Sequence, residues 1–255
     1  MNKEDYKKAE INKERMELVV KSNEIIRNIR YSLSATEMKI IAYVISKIVA
    51  EDKELKKVRF KLYDYMEVAG LKKIGGSDYR RLKKSIQDLR DKSWWIKEGN
   101  TEVLFSWFDT AKINKDTKEV ELTLSDSLTP YLVQLKSNFS KYELINVLCL
   151  KSKYSIRLYE IFKSYLWLGK WEVKVEDLRV LINMNDRYKD FTEFKRNILN
   201  PSIKEINKYT DLTIELTDTV KVGRCIDLLK FSIIEKRGVQ LTLDLLFEQD
   251  KRLNG

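Results

Sequence analysis

The chain repeats itself once, weakly, and this repeat limits the possible fold more than any other feature. From Ser34 to Ala50 the run SATEMKIIAYVISKIVA places apolar residues at helical spacing. FKLYDYMEVAGL, SDYRRLKKSIQDLRDKSWWI and a strand-rich stretch follow it. From Ser152 to Leu168 the run SKYSIRLYEIFKSYLWL is helical again, followed by VKVEDLRVLINM, DFTEFKRNILNPSIKEINKYTDLTIEL and further strands.

Each half therefore reads helix, short strand, helix, helix, β-hairpin, which is the order of a winged helix. The expected fold class is α+β, with tandem winged-helix (winged helix-turn-helix) domains at 34–124 and 141–240. A linker at 125–140 joins them, a charged and partly helical arm at 1–33 precedes them, and a tail at 241–255 follows. Around Glu98-Gly99-Asn100 the runs WWIK and EVLFSWF predict a hairpin, and EVELTL at 119–124 alternates strictly. In the second half LTIEL and CIDLLKFSII predict strands with a tip near Thr217 to Arg224. Ser125 to Leu135 carries turn chemistry and then a helical pattern, as a linker helix would.

Missing residue types narrow the chemistry. With no histidine, the chain cannot hold a His-ligated zinc, a Ser/His/Asp or Cys/His nucleophile system, or the paired histidines of a rolling-circle nickase. The stretch from Gly70 to Ser77 imitates a phosphate-binding loop, but Gly76 stands where the lysine is needed, so it reads as a helix stop and a turn. No cofactor and no metal are expected, although a magnesium site built from carboxylates stays open. Cys149 and Cys225 each sit in an apolar run and are expected to be small buried hydrophobes. Trp94, Trp95, Trp107, Trp167 and Trp171 lie among apolar neighbours and are expected in the core. No run approaches the roughly 18 apolar residues of a membrane span, and the first residues lack a secretory core, so a cytoplasmic protein with no membrane partner is expected. A net charge of +10 favours a polyanionic partner.

A reading helix packs one face on its domain and turns a polar, basic face into the major groove. In the first copy Ser77 is a candidate N-cap, Tyr79, Leu82, Ile86 and Leu89 share one side, and Arg80, Arg81 and Lys84 point away. In the second, Asp190 with Glu193 predicts a capping box; Phe191, Phe194 and Ile198 form the buried stripe. Thr192, Arg196 and Asn200 then face outward, flanked by Lys189 and Lys195. One basic helix face is ordinarily just solvated; the same face in the same slot of both repeats points to DNA. Arg81 and Arg196 are the candidates for base reading, because a guanidinium engages guanine with two hydrogen bonds. Lys84, Lys189, Lys195 and Lys204 are candidate backbone anchors. Two unequal heads about 34 Å apart would read a direct repeat rather than a palindrome.

These residues resemble the initiator proteins of iteron-containing plasmids, from about Leu18 to Glu235. VVKSNEII with LSATEMKIIAYVISKI, and YSIRLYEIFKSY with FKRNILNPSIKEINKYTDL, carry the resemblance. In the last of these, helix, Pro201 break, helix and strand arrive in the family's order. The resemblance implies a protein that binds repeats at a plasmid origin, helps open AT-rich duplex, recruits the host initiator and replicative helicase, and represses its own gene. It also implies a homodimer in equilibrium with monomer, dimer contacts in the N-terminal domain, and the helix from Asp190 to Ile206 as principal reader. Rival readings are a winged-helix transcriptional regulator, a magnesium-dependent nucleic-acid enzyme and a single-strand binder using the aromatic residues.

Overall fold

A computed structural model, describing residues 3–28, 32–49, 52, 55, 57–71, 76–184, 188 and 190–236, turns the repeat into two copies of one arrangement. The chain begins with α1 (Lys3–Arg15), β1 (Leu18–Ser22) and α2 (Asn23–Asn28). The first unit follows as α3 (Ala35–Ser46), β2 (Val58–Lys61), α4 (Leu62–Val68), α5 (Gly76–Asp91), the hairpin β3 (Ser93–Glu98) and β4 (Thr101–Ser106), then β5 (Phe108–Ile113) and β6 (Glu119–Leu124). A 3-10 turn (Asp126–Leu128), α6 (Thr129–Leu132), β7 (Phe139–Glu143) and α7 (Leu144–Leu148) connect the units. The second comprises α8 (Lys153–Tyr165), β8 (Lys170–Lys174), α9 (Val175–Leu181), α10 (Phe191–Phe194), α11 (Asn200–Tyr209), β9 (Leu212–Val222) and β10 (Cys225–Glu235).

The sheet orders make the duplication explicit. Among the described residues the first sheet runs β2-β6-β5 and the second β8-β10-β9, all antiparallel. In each, the strand between the first two helices of its unit lies on one edge, and the last strand sits in the middle. This is the winged-helix sheet, with β5–β6 and β9–β10 as the wings. The hairpin read from WWIK and EVLFSWF forms as expected, Ser93 to Glu98 pairing with Thr101 to Ser106. It is a separate two-stranded sheet inserted between α5 and the first wing. The second unit has no counterpart among its described residues.

Equivalent aromatic clusters hold each first helix on its sheet. Tyr43 of α3 meets Phe60 at 5.2 Å and Tyr65 at 5.1 Å, while Phe162 of α8 meets Trp171 at 5.7 Å and Phe231 at 5.3 Å, all edge to face. Trp94, Trp107 and Trp171 are buried, as expected from sequence. Trp95 and Trp167 are not: they are 64% and 75% exposed. Trp95 alternates with Trp94 and takes the outer face of β3, and Trp167 lies in the single 3-10 turn before Gly169, which no element covers. Cys149 is buried, but Cys225 is exposed, because it starts β10 at the far end of a wing that outruns the core.

The N-terminal stretch is helical in part and tightly packed. β1 pairs antiparallel with β7, Leu18 opposite Glu143 and Ser22 opposite Phe139. Its Lys21 makes a buried ion pair with Glu160 of α8 at 2.5 Å, and the Tyr142 hydroxyl donates to the same carboxylate at 2.5 Å. Burial alone would push the Glu160 carboxyl up, but the Lys21 ammonium and the two hydrogen bonds hold it below its ordinary value. From α2, Arg27 donates to the Ser164 hydroxyl at 3.1 Å and stacks 4.0 Å over the Tyr165 ring.

Candidate nucleic-acid interface

In the first unit the third helix is α5. Leu82, Ile86 and Leu89 are buried and Tyr79 is half-buried, so the apolar stripe falls where the helical wheel puts it. Ser77 does not cap this helix. It starts at Gly76, placing Ser77 in the first turn, exposed. Gly70, at φ 68°, ends α4 in the left-handed conformation that glycine adopts without strain; residues 72–75 lie outside the described residues. Arg80, Arg81 and Lys84 are all exposed. Arg81 pairs with Asp78 at 2.9 Å and Lys84 with Asp88 at 2.7 Å, one turn away along the helix. Exposed pairs of this kind contribute little and exchange readily for another anion.

In the second unit the candidate reading helix is longer and its start is fixed. The Asp190 carboxylate accepts the amides of Thr192 at 2.8 Å and Glu193 at 3.1 Å. The Glu193 and Thr192 amides hold the Asp190 carboxyl below its usual range. This is half of the expected capping box; no reciprocal bond from the Glu193 side chain forms among the described residues. Phe194 and Ile198 are buried and Phe191 half-buried, with Arg179 of α9 stacked 4.8 Å over the Phe194 ring. Thr192, Arg196, Asn200 and Lys204 are exposed and Lys195 half-buried; Lys189 lies outside the described residues.

Pro201 does not break this helix. A proline nitrogen carries no hydrogen to donate to the residue four back. The chain absorbs the loss in a π turn at Lys195–Leu199, where the Asn200 amide bonds the Lys195 carbonyl five residues back. The helix runs on over 191–209 with one extra residue in the turn holding Arg196. At the far end the Asn207 carboxamide bonds Ile214 in both directions, at 2.7 and 2.8 Å, and the Lys236 ammonium reaches the carbonyls of Asn207 and Thr210 at 2.5 and 2.8 Å. Its position against the wing is thus held by polar bonds as well as by packing.

The cations on the wings are what sequence reading missed. The first turns at Asn114–Lys118, where the Asn114 side chain accepts the amides of Asp116 and Thr117 at 2.8 and 3.0 Å. Lys112 and Lys115 are exposed there, and the Lys118 ammonium sits 4.9 Å over the Tyr79 ring of α5. Between α5 and β5 lies a cleft of about 380 Å³, rimmed by Lys83, Arg90 and Lys115 above a floor that includes Ile86 and Ile113. The second wing is longer. β9 continues past a bulge at Thr217 to Val222, so its tip is at Gly223 and Arg224 rather than from Thr217 on, with Lys221 and Arg224 exposed. The turn residues in NKDTK and the glycine in KVGRC were the available signals. Among the described residues no group of three or more Cys, Asp or Glu side chains is placed to hold a metal ion, and no helix is long and apolar enough to cross a membrane.

Known proteins share this organisation. Residues 18–163 match the family described as Initiator Replication protein, WH1, and residues 174–233 match Initiator Rep protein, WH2. A replication initiation protein of Escherichia coli is 28% identical over 249 residues, covering 94% of this chain and 76% of that protein. The PI protein of Escherichia coli is 31% identical over 136 residues, 47% of this chain and 45% of that one. The crystal structure of Pi initiator protein in complex with iteron DNA superposes with a TM-score of 0.75 at 20% identity, covering 88% of this chain and 99% of that one, which shows a shared fold. With the two matches together spanning most of the chain, it belongs to the family of initiator replication proteins with paired winged-helix domains.

Proposed function

We propose that this protein starts plasmid replication by gripping directly repeated duplex sites at an origin with two winged-helix heads. One observation carries the reading: in both units the third helix turns an exposed polar and basic face outward beside a wing that ends in cations. A single solvated helix does not account for the same arrangement twice. The similarity in fold to an initiator crystallised with iteron DNA supports it.

In this reading the heads correspond to 34–124 and 141–240, joined through 125–140. The helix over 191–209 is the principal reader. Arg196 reads a guanine edge, Thr192 and Asn200 flank it, and Lys189, Lys195 and Lys204 hold phosphate. α5 is the second reader through Arg80, Arg81 and Lys84, with Ser77 at its start. Lys83, Arg90, Lys115 and Arg224 add backbone contacts from the cleft and the wings. The protein binds and does not cut, recruits the host initiator and replicative helicase, and acts in the cytoplasm. A homodimer made through the N-terminal unit represses its own gene, and the monomer acts on the origin.

Substitution of the reader tests this. Arg196→Ala is expected to cost about 1 to 3 kcal/mol on the repeat and to relax specificity at one base pair, whereas Lys195→Ala weakens all duplexes evenly. Footprinting on DNA beside the gene should give evenly spaced protected repeats. Uniform protection, or an Arg196→Ala variant with the wild-type ratio of specific to nonspecific affinity, would refute the reading.

A further inference from the structure

Beside the reading face of the second unit runs a groove of about 380 Å³, and of its lining only Lys204 enters the contacts above. One wall is the first turn of α8; the other is the flank of the reading helix that carries Asn197, Pro201, Lys204 and Lys208. α8 has 13 residues, enough for a positive end at its N-terminus. Its start is anchored: the Ser152 hydroxyl accepts the Tyr154 amide at 3.1 Å, and Glu205 of α11 accepts the amides of Lys151 and Ser152 at 2.7 and 3.4 Å. The Glu205 charge is thereby engaged on backbone amides, and the first turn of α8 is fixed against the reader.

Two further observations point to an anionic ligand. Ser155 lines the groove and is 0% exposed, yet its hydroxyl has no hydrogen-bond partner among the described residues. A buried hydroxyl left without an acceptor is costly, and a ligand oxygen seated on the groove floor removes that cost. The groove is also edged by the cations Lys204 and Lys208. The Lys208 ammonium lies 4.9 Å over the Tyr209 ring, which itself lines the groove.

We propose that this groove holds one backbone phosphate of the bound duplex. The Ser155 hydroxyl donates to a phosphate oxygen, Lys204 and Lys208 supply the countercharge, and the positive end of α8 faces the anion. The inference rests on the proposed reading of 191–209 as a major-groove helix, since a helix there has the phosphate backbone along its flanks. The contact fixes the register of the head on the duplex and carries no sequence information.

Three measurements on the full chain test it. The double variant K204Q/K208Q is expected to lose affinity by the same factor for a repeat-bearing and a scrambled duplex. Its slope of log affinity against log salt should fall by about 1. Ser155→Ala should lower both affinities about tenfold, the value of one hydrogen bond to a charged group. Its thermal midpoint should stay level or rise, because it deletes a buried hydroxyl that the free protein leaves unpaired. An unchanged salt slope in the double variant, or wild-type affinity in Ser155→Ala, overturns the proposal. Titration of inorganic phosphate alone should give no saturable binding; saturable binding abolished by the double variant would assign the groove to a free phosphate and overturn the backbone assignment. A wild-type chain that bound both duplexes equally would refute the sequence-reading proposal instead, and the salt slope would still be read on either duplex.

Discussion

Removing the Glu160 carboxylate should be among the most damaging single changes in this protein. Lys21 and Glu160 are 3% and 2% exposed, and the ammonium and carboxylate meet at 2.5 Å. The Tyr142 hydroxyl occupies the same oxygen, and the second oxygen has no partner among the described residues. Glu160→Ala therefore leaves an ammonium buried without a countercharge, and breaking such a pair from one side costs about 3 to 5 kcal/mol. For a chain of this size each kcal/mol lowers the melting temperature by about 2 to 4 °C, so the expected drop is about 6 to 20 °C. Lys21→Met is milder, because a lone buried carboxyl takes up a proton and keeps the Tyr142 bond. K21M/E160A, which removes both charges, should recover part of the loss, with a coupling of about 2 kcal/mol between the positions. The folded carboxyl lies below its unfolded value, so its contribution is fully present above a pH of about 4.3 and is lost as pH falls through the folded value. Thermal and urea melts of the four proteins across the acid range measure all of this. Additive single-variant costs, or a Glu160→Ala variant within 1 kcal/mol of wild type, would refute the reasoning.

Four further outcomes are expected. Pro201→Ala restores the missing amide and lets the π turn relax to an α turn, rotating Arg196 by about one residue's turn; stability should hold or rise while the preference for the repeat over scrambled DNA falls, as anisotropy titrations would read. Trp107→Ala, at a fully buried ring packed 5.1 Å from Trp94, should cost about 3 to 5 kcal/mol in urea unfolding. Trp167→Phe should change stability by less than about 0.5 kcal/mol and remove red-shifted fluorescence, a blue-shifted loss contradicting its exposure. Asp190→Ala should fray the first turn of the reading helix and weaken DNA binding; in wild type that cap persists below the ordinary carboxylate range and is lost only as pH falls through the depressed folded value, which the acid limb of helical circular dichroism would follow.

Much of this fold could be read from the residues. Helical spacing located α3, α5 and α8, and strict alternation located β6, because each of these elements buries one face and leaves a period in the sequence. What escaped has physical causes. The alternation that identified WWIK as a strand also sends Trp95 outward, and only the missing cover over that face decides its exposure. Pro201 is a helix breaker by local chemistry, and tertiary packing on Ile198 and Ile206 overrode that by inserting a π turn. The strand β9 continues past its buried residues, so hydrophobicity stopped marking it at Leu216 while hydrogen bonding carried it to Val222. At the candidate interface the outward faces of both third helices were legible from helical periodicity. Neither the Asp78 and Asp88 pairs that occupy Arg81 and Lys84 nor the groove at the start of α8 was legible, since both depend on which side chains meet in space.

The ladder between β1 and β7 also imposes a schedule on synthesis. Lys21 and Glu160 are 139 residues apart in the chain. At a translation rate of about 5 to 20 residues per second, Lys21 leaves the ribosome's catalytic centre roughly 7 to 28 seconds before its partner exists. For most of that interval the strand Leu18–Ser22 lacks the neighbour that completes its ladder, and throughout it lacks the carboxylate that neutralises its lysine. Its brevity and its charge are the properties that keep an unpaired strand from joining another nascent chain. The lysine that is a liability in the finished core thus protects the same segment while the rest of the protein is still being made.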